Sequence, residues 1–175
     1  MEPSELERFE AVVLPHLSAA YRLARYLTRN DADAEDVVQE AFLRALKYFG
    51  GFRGEADQSC AWLLAIVRNT THTWQRRHRA DASTAEFDET VHSEAITDED
   101  PGSVLSRRDL RETLADVLDR LPPDFREVIV LREVEGLSYK EISEVVDVPV
   151  GTVMSRLARA RKRLQQALIA SDRER

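Results

Sequence analysis

Ser138-Tyr139-Lys140-Glu141-Ile142-Ser143-Glu144-Val145-Val146-Asp147-Val148-Pro149-Val150-Gly151-Thr152-Val153-Met154-Ser155-Arg156-Leu157-Ala158-Arg159-Ala160-Arg161-Lys162-Arg163-Leu164 reads as a capped helix, a tight turn and a second, strongly basic helix. Ser138 opens the first helix with Glu141 three residues on, the spacing at which the two residues cap one another. That helix is short and ends near Val146. Asp147-Val148-Pro149-Val150-Gly151 makes a tight connection, and the long helix is expected from Thr152 to about Leu168. At about 100° per residue, Val153, Leu157, Ala160, Leu164 and Leu168 share one face. Thr152, Ser155, Arg156 and Arg159 lie opposite, at the N-terminal end, where a recognition helix offers side chains to base edges. Lys162 and Arg163 prolong that face towards phosphates. Gly151 and Thr152 are expected to leave backbone N–H groups free for a cap or a phosphate oxygen. An ordinary helical hairpin with a solvated basic face is the competing reading. A capped short helix, a tight turn and a basic long helix occurring together favour a DNA-reading pair.

Helical spacing continues almost throughout the rest of the chain, and strand signals are sparse. Val104, Leu105, Leu110, Leu114, Val117, Leu118 and Leu121 predict a helix that stops before Pro122-Pro123. A further helix is expected over 124–134, closed by Glu135-Gly136-Leu137. Near the N-terminus, Leu6, Phe9, Val13, Leu17, Tyr21, Ala24 and Leu27 step by three or four, with Pro15 set to kink or divide the run. Asn30 or Asp31 can cap the next helix, and Asp33, Glu35 and Asp36 place negative charge at its positive end. Val38, Phe42, Leu46 and Phe49 form its apolar stripe, which stops at Gly50-Gly51. A loop over 50–57 leads to a third helix, 59–79.

Residues 81–102 differ in kind. They are acidic, rich in Ser and Thr, and end in the breaker Asp100-Pro101-Gly102. Such a segment cannot bury enough apolar surface to offset its ordering entropy. The expected fold is therefore all-α: two small helical domains, residues 1–80 and 103–175, joined by a flexible acidic linker, 81–102.

The chain has 175 residues and a formal net charge of −7, which by itself argues against a nucleic-acid binder. The charge is strongly patterned, however. Residues 61–80 carry four bases and no acid, 81–100 eight acids and no Lys or Arg, and 151–175 seven bases and two acids. Patches set local affinity for phosphate. In the 59–79 helix, Arg68, His72, Gln75, Arg76 and Arg79 gather on one side with Asn69 at its border. Trp62, Leu63, Ile66, Thr70, Thr73 and Trp74 gather on the other. Arg, His, Gln and Asn beside aromatics suit phosphate and base contacts in unpaired strands. Equally, the tryptophans could be core and the arginines a solubilising face.

Other chemistries are poorly supported. One cysteine, Cys60, excludes a disulfide framework and a cysteine-based zinc site. His16, His72, His78 and His92 have no metal-ligand spacing. Asp33, Glu35, Asp36 and Glu40 could suggest a metal nuclease, but all four sit on one helix, whereas a carboxylate metal site needs ligands from separate elements. GxSxG elbow, P-loop and Cys–His arrangements are lacking. No metal, cofactor or catalysis is expected. The longest apolar stretch, 61–67, is too short to span a bilayer, and no signal-peptide pattern opens the chain. A cytoplasmic protein without membrane insertion is expected.

Three stretches carry a family resemblance. Asp33-Ala34-Glu35-Asp36-Val37-Val38-Gln39-Glu40-Ala41-Phe42-Leu43 resembles the core-binding helix of the sigma-70 family. Ala61-Trp62-Leu63-Leu64-Ala65-Ile66-Val67-Arg68-Asn69, followed by Arg76-Arg77, is similar to the promoter-melting helix of its extracytoplasmic-function (ECF) group. Leu121-Pro122, Arg126, Leu131-Arg132, Glu135-Gly136-Leu137-Ser138-Tyr139 and the helix-turn-helix itself resemble that group's C-terminal domain. The likeness covers roughly 6–79 and 104–168, in the correct order and spacing.

The resemblance implies an RNA polymerase sigma factor with no catalysis of its own. Sigma region 2 would fall within 1–80 and sigma region 4 within 103–175. Asp33, Asp36, Gln39, Glu40 and Arg44 would contact the coiled coil of the largest subunit of core polymerase, supported by Phe42 from beneath. Arg68, Asn69, His72, Arg76 and Arg79, with the 52–58 loop, would engage the minus-ten element. Tyr139, Lys140, Thr152, Ser155, Arg156, Arg159, Lys162 and Arg163 would serve the minus-thirty-five element. The flap of the second subunit and an anti-sigma factor are further implied partners. Asp147 stands where the family usually has Gly, and Asp tolerates the left-handed conformation that the turn needs. Met154 replaces a residue often basic, and Thr70-Thr71-His72 is atypical. A free-standing helix-turn-helix regulator acting without polymerase is the alternative; it leaves the 33–43 stretch unexplained.

Overall fold

The computed structural model describes residues 4–82 and 101–174, without the side chains of 82 and 101–106. Among these residues every regular element is helical. Helices α1 (Glu5–Val13), α2 (Leu17–Thr28), α3 (Asp31–Tyr48) and α4 (Ser59–Ala82) make the N-terminal half. Helices α5 (Pro101–Arg120), α6 (Pro123–Ile129), α7 (Tyr139–Val146) and α8 (Val150–Arg173) make the C-terminal half.

Local chemistry sets these boundaries. Ser4 and Glu7 cap α1 reciprocally, the Glu7 N–H donating to Ser4 Oγ at 3.2 Å. Pro15 divides the first apolar run as expected, through a 3-10 turn at Leu14–His16. Arg29 turns the chain with φ 61°, and Asn30 caps α3 by accepting the Asp33 N–H at 3.0 Å. Phe52 stacks on Phe49 (6.0 Å between centroids) and leans on Trp62 (4.8 Å), pinning the loop after α3 to α4. Ser138 and Glu141 form the expected capping box at α7. Asp147 takes the left-handed conformation with φ 56°.

Several expectations are corrected. The long basic helix begins at Val150 and runs to Arg173, beyond both expected ends. Its early N–H groups are not all free: Thr152 and Val153 donate to Pro149 O at 2.9 and 3.1 Å. The helix expected over 124–134 ends at Ile129 and widens into a π turn at Val130–Val134. Ala82 ends α4 and Pro101 opens α5, so 81–82 and 101–102 are helical instead of linker. Proline at a first helical position has no intrahelical bond to lose, which is why Pro101 starts a helix where a breaker was expected. The rest of the expected flexible acidic linker, 83–100, lies outside the described residues. Leu6, Leu17, Leu46, Leu110 and Leu114, assigned to apolar stripes, are exposed. On α3 the buried side is Ala34, Val37, Val38, Ala41 and Ala45, small enough for α2 and α4 to approach closely.

The two halves pack against each other. α4 lies on α7, and α2 on α6 and the π turn. Their buried residues form one continuous apolar cluster, from Phe9 and Leu63 to Ile142 and Leu157. The two helical domains expected from sequence are both present, and in this arrangement they share a core.

Candidate nucleic-acid interface

In α8 the expected apolar face is buried at its N-terminal end, whereas Leu164 and Leu168 are half-buried. Val153, Leu157 and Ala160 are fully buried, against α6 and α7. Ser155, Arg159, Lys162 and Arg163 are exposed, and Thr152 and Arg156 half-buried. The Arg163 guanidinium lies 5.2 Å from the Phe125 ring centroid, and Arg156 is 4.0 Å from Asp124. Arg161, outside the expected set, turns back to Glu133 at 2.8 Å, which raises its basicity. Lys140 is exposed at the start of α7, whereas Tyr139 is half-buried beneath the Arg132 guanidinium, 4.8 Å from its ring. The turn between the helices is tied by Ser143, whose hydroxyl donates to Val148 O. The arginines of the recognition helix therefore stay on the surface although the halves are packed.

The expected minus-ten face on α4 is differently placed. Asn69, Arg76 and Arg79 are exposed. Arg68 is not: its Nε and Nη2 donate to the two carboxylate oxygens of Glu127 on α6, at 2.9 and 3.2 Å. The side chains of Arg68 and Glu127 are 15% and 2% exposed. His72 lies 3.7 Å from the same carboxylate. Burial, then the neighbouring Arg68, hold its imidazole below the ordinary value of 6.5, Glu127 opposing. Gln75 donates to Leu27 O at 3.0 Å. His72, Gln75, Arg76 and Arg79 line one wall of a cavity of about 330 Å³, with Pro123, Asp124, Arg126 and Glu127 opposite. Thr70 and Thr71 face the core and are fully buried, so neither offers a hydroxyl to DNA. Thr71 donates to Val67 O, while Thr70 Oγ1 has no partner among the described residues. Trp62 and Trp74 both pack on the core, as the competing reading allowed.

On α3, Asp36 and Gln39 are exposed, and Glu40 and Arg44 form an (i, i+4) ion pair that Arg77 approaches to 3.7 Å. Asp33 is half-buried; burial raises its carboxyl above the usual range, His78 opposing and Asp36 reinforcing. Phe42 packs on the core beneath them. Leu43 was not among the expected polymerase contacts. Its side chain is 70% exposed, and it follows Gln39 and Glu40 at helical spacing, which is the signal that could have found it. A groove lined by Leu17, Tyr21, Arg22, Glu35, Val38 and Gln39 adjoins this face. Among the described residues no His, Cys, Asp and Glu cluster could hold a metal ion, and no helix is long and apolar enough to cross a membrane.

Fold and surface define a two-module, all-α protein with a basic helix-turn-helix at one end. The family model for sigma-70 region 2 matches residues 12–81, and that for sigma-70 region 4 matches 111–164. The RNA polymerase sigma-H factor of Pseudomonas aeruginosa is 37% identical, over 91% of this chain and 86% of its own length. The ECF RNA polymerase sigma-E factor of Haemophilus influenzae is also 37% identical, over 83% of this chain and 79% of its own. Among solved structures, the sigma factor RpoE of Bartonella quintana, in complex with the anti-sigma factor NepR, superposes with a TM-score of 0.72 at 27% identity. That match covers 92% of this chain and 96% of RpoE. CnrH, in complex with the cytosolic domain of CnrY, gives 0.65 at 29% identity, over 93% of this chain and 88% of CnrH. The chain belongs to the ECF group of the sigma-70 family of RNA polymerase sigma factors.

Proposed function

We propose that this chain binds core RNA polymerase and directs it to promoters, without bond chemistry of its own, in the cytoplasm. Residues 1–80 act as region 2 and 103–175 as region 4. Asp33, Asp36, Gln39, Glu40 and Arg44, with exposed Leu43 beside them, dock on the coiled coil of the largest subunit. The C-terminal half meets the flap of the second subunit. Lys140, Thr152, Ser155, Arg156, Arg159, Lys162 and Arg163 read and grip the minus-thirty-five element, with Tyr139 and Arg132 bracing the entry to α7. Arg68, Asn69, His72, Arg76 and Arg79 engage the minus-ten element. An anti-sigma factor is a further partner, as for RpoE.

The observation that carries this reading is α8 itself. One face is sealed into the core by Val153, Leu157 and Ala160, and the opposite face presents Ser155, Arg159 and Lys162 to solvent. Purified chain should co-purify with core polymerase and confer transcription from specific start sites in vitro. A folded chain that does neither would reject the reading.

A further inference from the structure

The 3-10 turn that Pro15 makes between α1 and α2 delivers His16 to the start of α4. There the half-buried imidazole has its Nε2 2.9 Å from Ser59 Oγ, a residue 43 positions later in the chain. Ser59 is 1% exposed, and its hydroxyl donates to Ala56 O at 2.6 Å. A hydroxyl has one hydrogen to give, so Ser59 Oγ accepts from His16, whose proton sits on Nε2. The backbone N–H of Ser59 also goes to Ala56 O. Ser59 thus closes the turn that ends the 52–58 loop, and His16 holds Ser59 from another part of the fold.

The rest of that loop is tightly constrained. Phe52 packs against both Phe49 and Trp62. Arg53 Nη1 donates to Gly50 O at 3.0 Å. The Glu55 N–H donates to Gln58 Oε1 at 3.2 Å, and the Gln58 N–H to Glu55 O at 3.0 Å. A Cβ at Gly54 would lie 2.7 Å from the Phe52 ring and 2.8 Å from Gln58 Oε1, so the loop is drawn in as far as glycine permits. These contacts are local to residues 49–62, whereas His16 reaches the loop from the turn before α2. Arg53, Glu55, Ala56, Asp57 and Gln58 meanwhile remain exposed.

We infer that His16 is a positioning residue for minus-ten reading: through Ser59 it holds the 52–58 loop in its strand-binding shape before the strand arrives. This rests on the reading of that loop as a minus-ten contact. A loop fixed beforehand gives up little conformational freedom on binding. A loop that must first be ordered loses affinity in proportion to the time it spends in other shapes. Ser59 is also the joint between the loop and α4, so the bond sets where the loop stands relative to Asn69 and Arg76 further along that helix. His16 itself touches no DNA and acts only through Ser59.

The test uses holoenzyme assembled from core polymerase and the full chain, with a single-stranded oligonucleotide carrying the minus-ten element that the unaltered holoenzyme selects from a random pool. His16→Leu removes the donor at similar volume, and His16→Asn, too short to reach Ser59, carries the test should His16→Leu fail to fold. Either should weaken oligonucleotide binding by about fivefold, the factor carried by one neutral hydrogen bond, and should flatten base preference in the selection. His16→Gln, which restores an N–H donor, should recover most of both. Ser59→Ala removes the acceptor and should weaken binding at least as much, after which adding His16→Leu should cost nothing further. Polymerase capture and minus-thirty-five duplex binding should stay unchanged throughout. Unchanged oligonucleotide affinity and preference, an additive double variant, or polymerase capture falling in step with strand binding would each overturn the inference. If base preference still shifted with Arg53→Ala and Asp57→Ala combined, the reading of the loop would survive alone. Holoenzyme indifferent to that pair would instead overturn the reading of the loop, and the inference with it.

Discussion

Replacing Arg126 with methionine isolates what holds the helix-turn-helix to its supporting helix. Arg126 is 5% exposed, and its guanidinium donates to three backbone carbonyls at the end of α5: Leu118 at 2.9 Å, Asp119 at 2.9 Å and Leu121 at 2.8 Å. Methionine keeps most of the volume and removes all three donors. Leu118 O retains the Leu121 N–H at 3.1 Å, so Asp119 O and Leu121 O are the acceptors that lose a partner. Hydrogen bonds from a charged donor contribute about 1.5–3 kcal/mol each. Against this, withdrawing the guanidinium from water carries a cost of its own, visible in a basicity lowered by burial and by Arg29. With that offset, the two acceptors left without a partner give a net destabilisation of about 2–4 kcal/mol. For a 175-residue chain whose halves share a core, each kcal/mol moves the melting midpoint by about 2–4 °C, so a fall of about 4–16 °C is expected. Circular dichroism melts of the full chain, run beside anisotropy of a minus-thirty-five duplex, would measure it. A fall below about 3 °C would refute the assignment of those bonds as the clamp on α5.

Arg159→Ala should weaken minus-thirty-five binding by about 1–3 kcal/mol and relax base preference, if its exposed guanidinium meets a base edge. An unchanged footprint would count against α8 as the reader. Reversing Asp36 and Glu40 to lysine should impair polymerase capture while the C-terminal half stays folded; undiminished co-purification would refute the α3 face. The contact between the halves should also respond to pH through His72, which faces Arg68 and Arg76 on its own helix and Glu127 and Asp124 on α6. Its imidazole titrates below 6.5 when the halves are packed, so the separated form binds more protons in that window. Packing of the two halves therefore gains stability as pH rises towards 6.5 and loses it as pH falls below that value. A radius of gyration that does not grow on such acidification would dismiss the effect.

Much of this was legible because it is local. The Ser138–Glu141 box, the left-handed Asp147 and the 153/157/160 face are consequences of backbone and side-chain chemistry within a few residues of each other, and the structure has all of them. The apolar stripes were less legible. Leu46 fits the helical period of α3, yet alanines at 34, 41 and 45 take the buried side, because contact with two neighbouring helices rewards small residues that no single-helix pattern favours. The minus-ten face was the least legible. Arg68, Arg76 and Arg79 do lie along one side of α4, but what covers Arg68 is a glutamate 59 positions later in the chain. Nothing in the periodicity of either helix pairs them. Ser143 shows the same limit at short range, since its bond to Val148 O depends on the turn closing first.

The shared core joins parts of one molecule, and that alters how strong it must be. A short tether confines its two ends at an effective concentration of order millimolar. An association too feeble to hold severed fragments together in dilute solution is then ample to keep the intact polypeptide folded upon itself. A partner that grips both ends at distant points need overcome only that modest affinity to pull them apart.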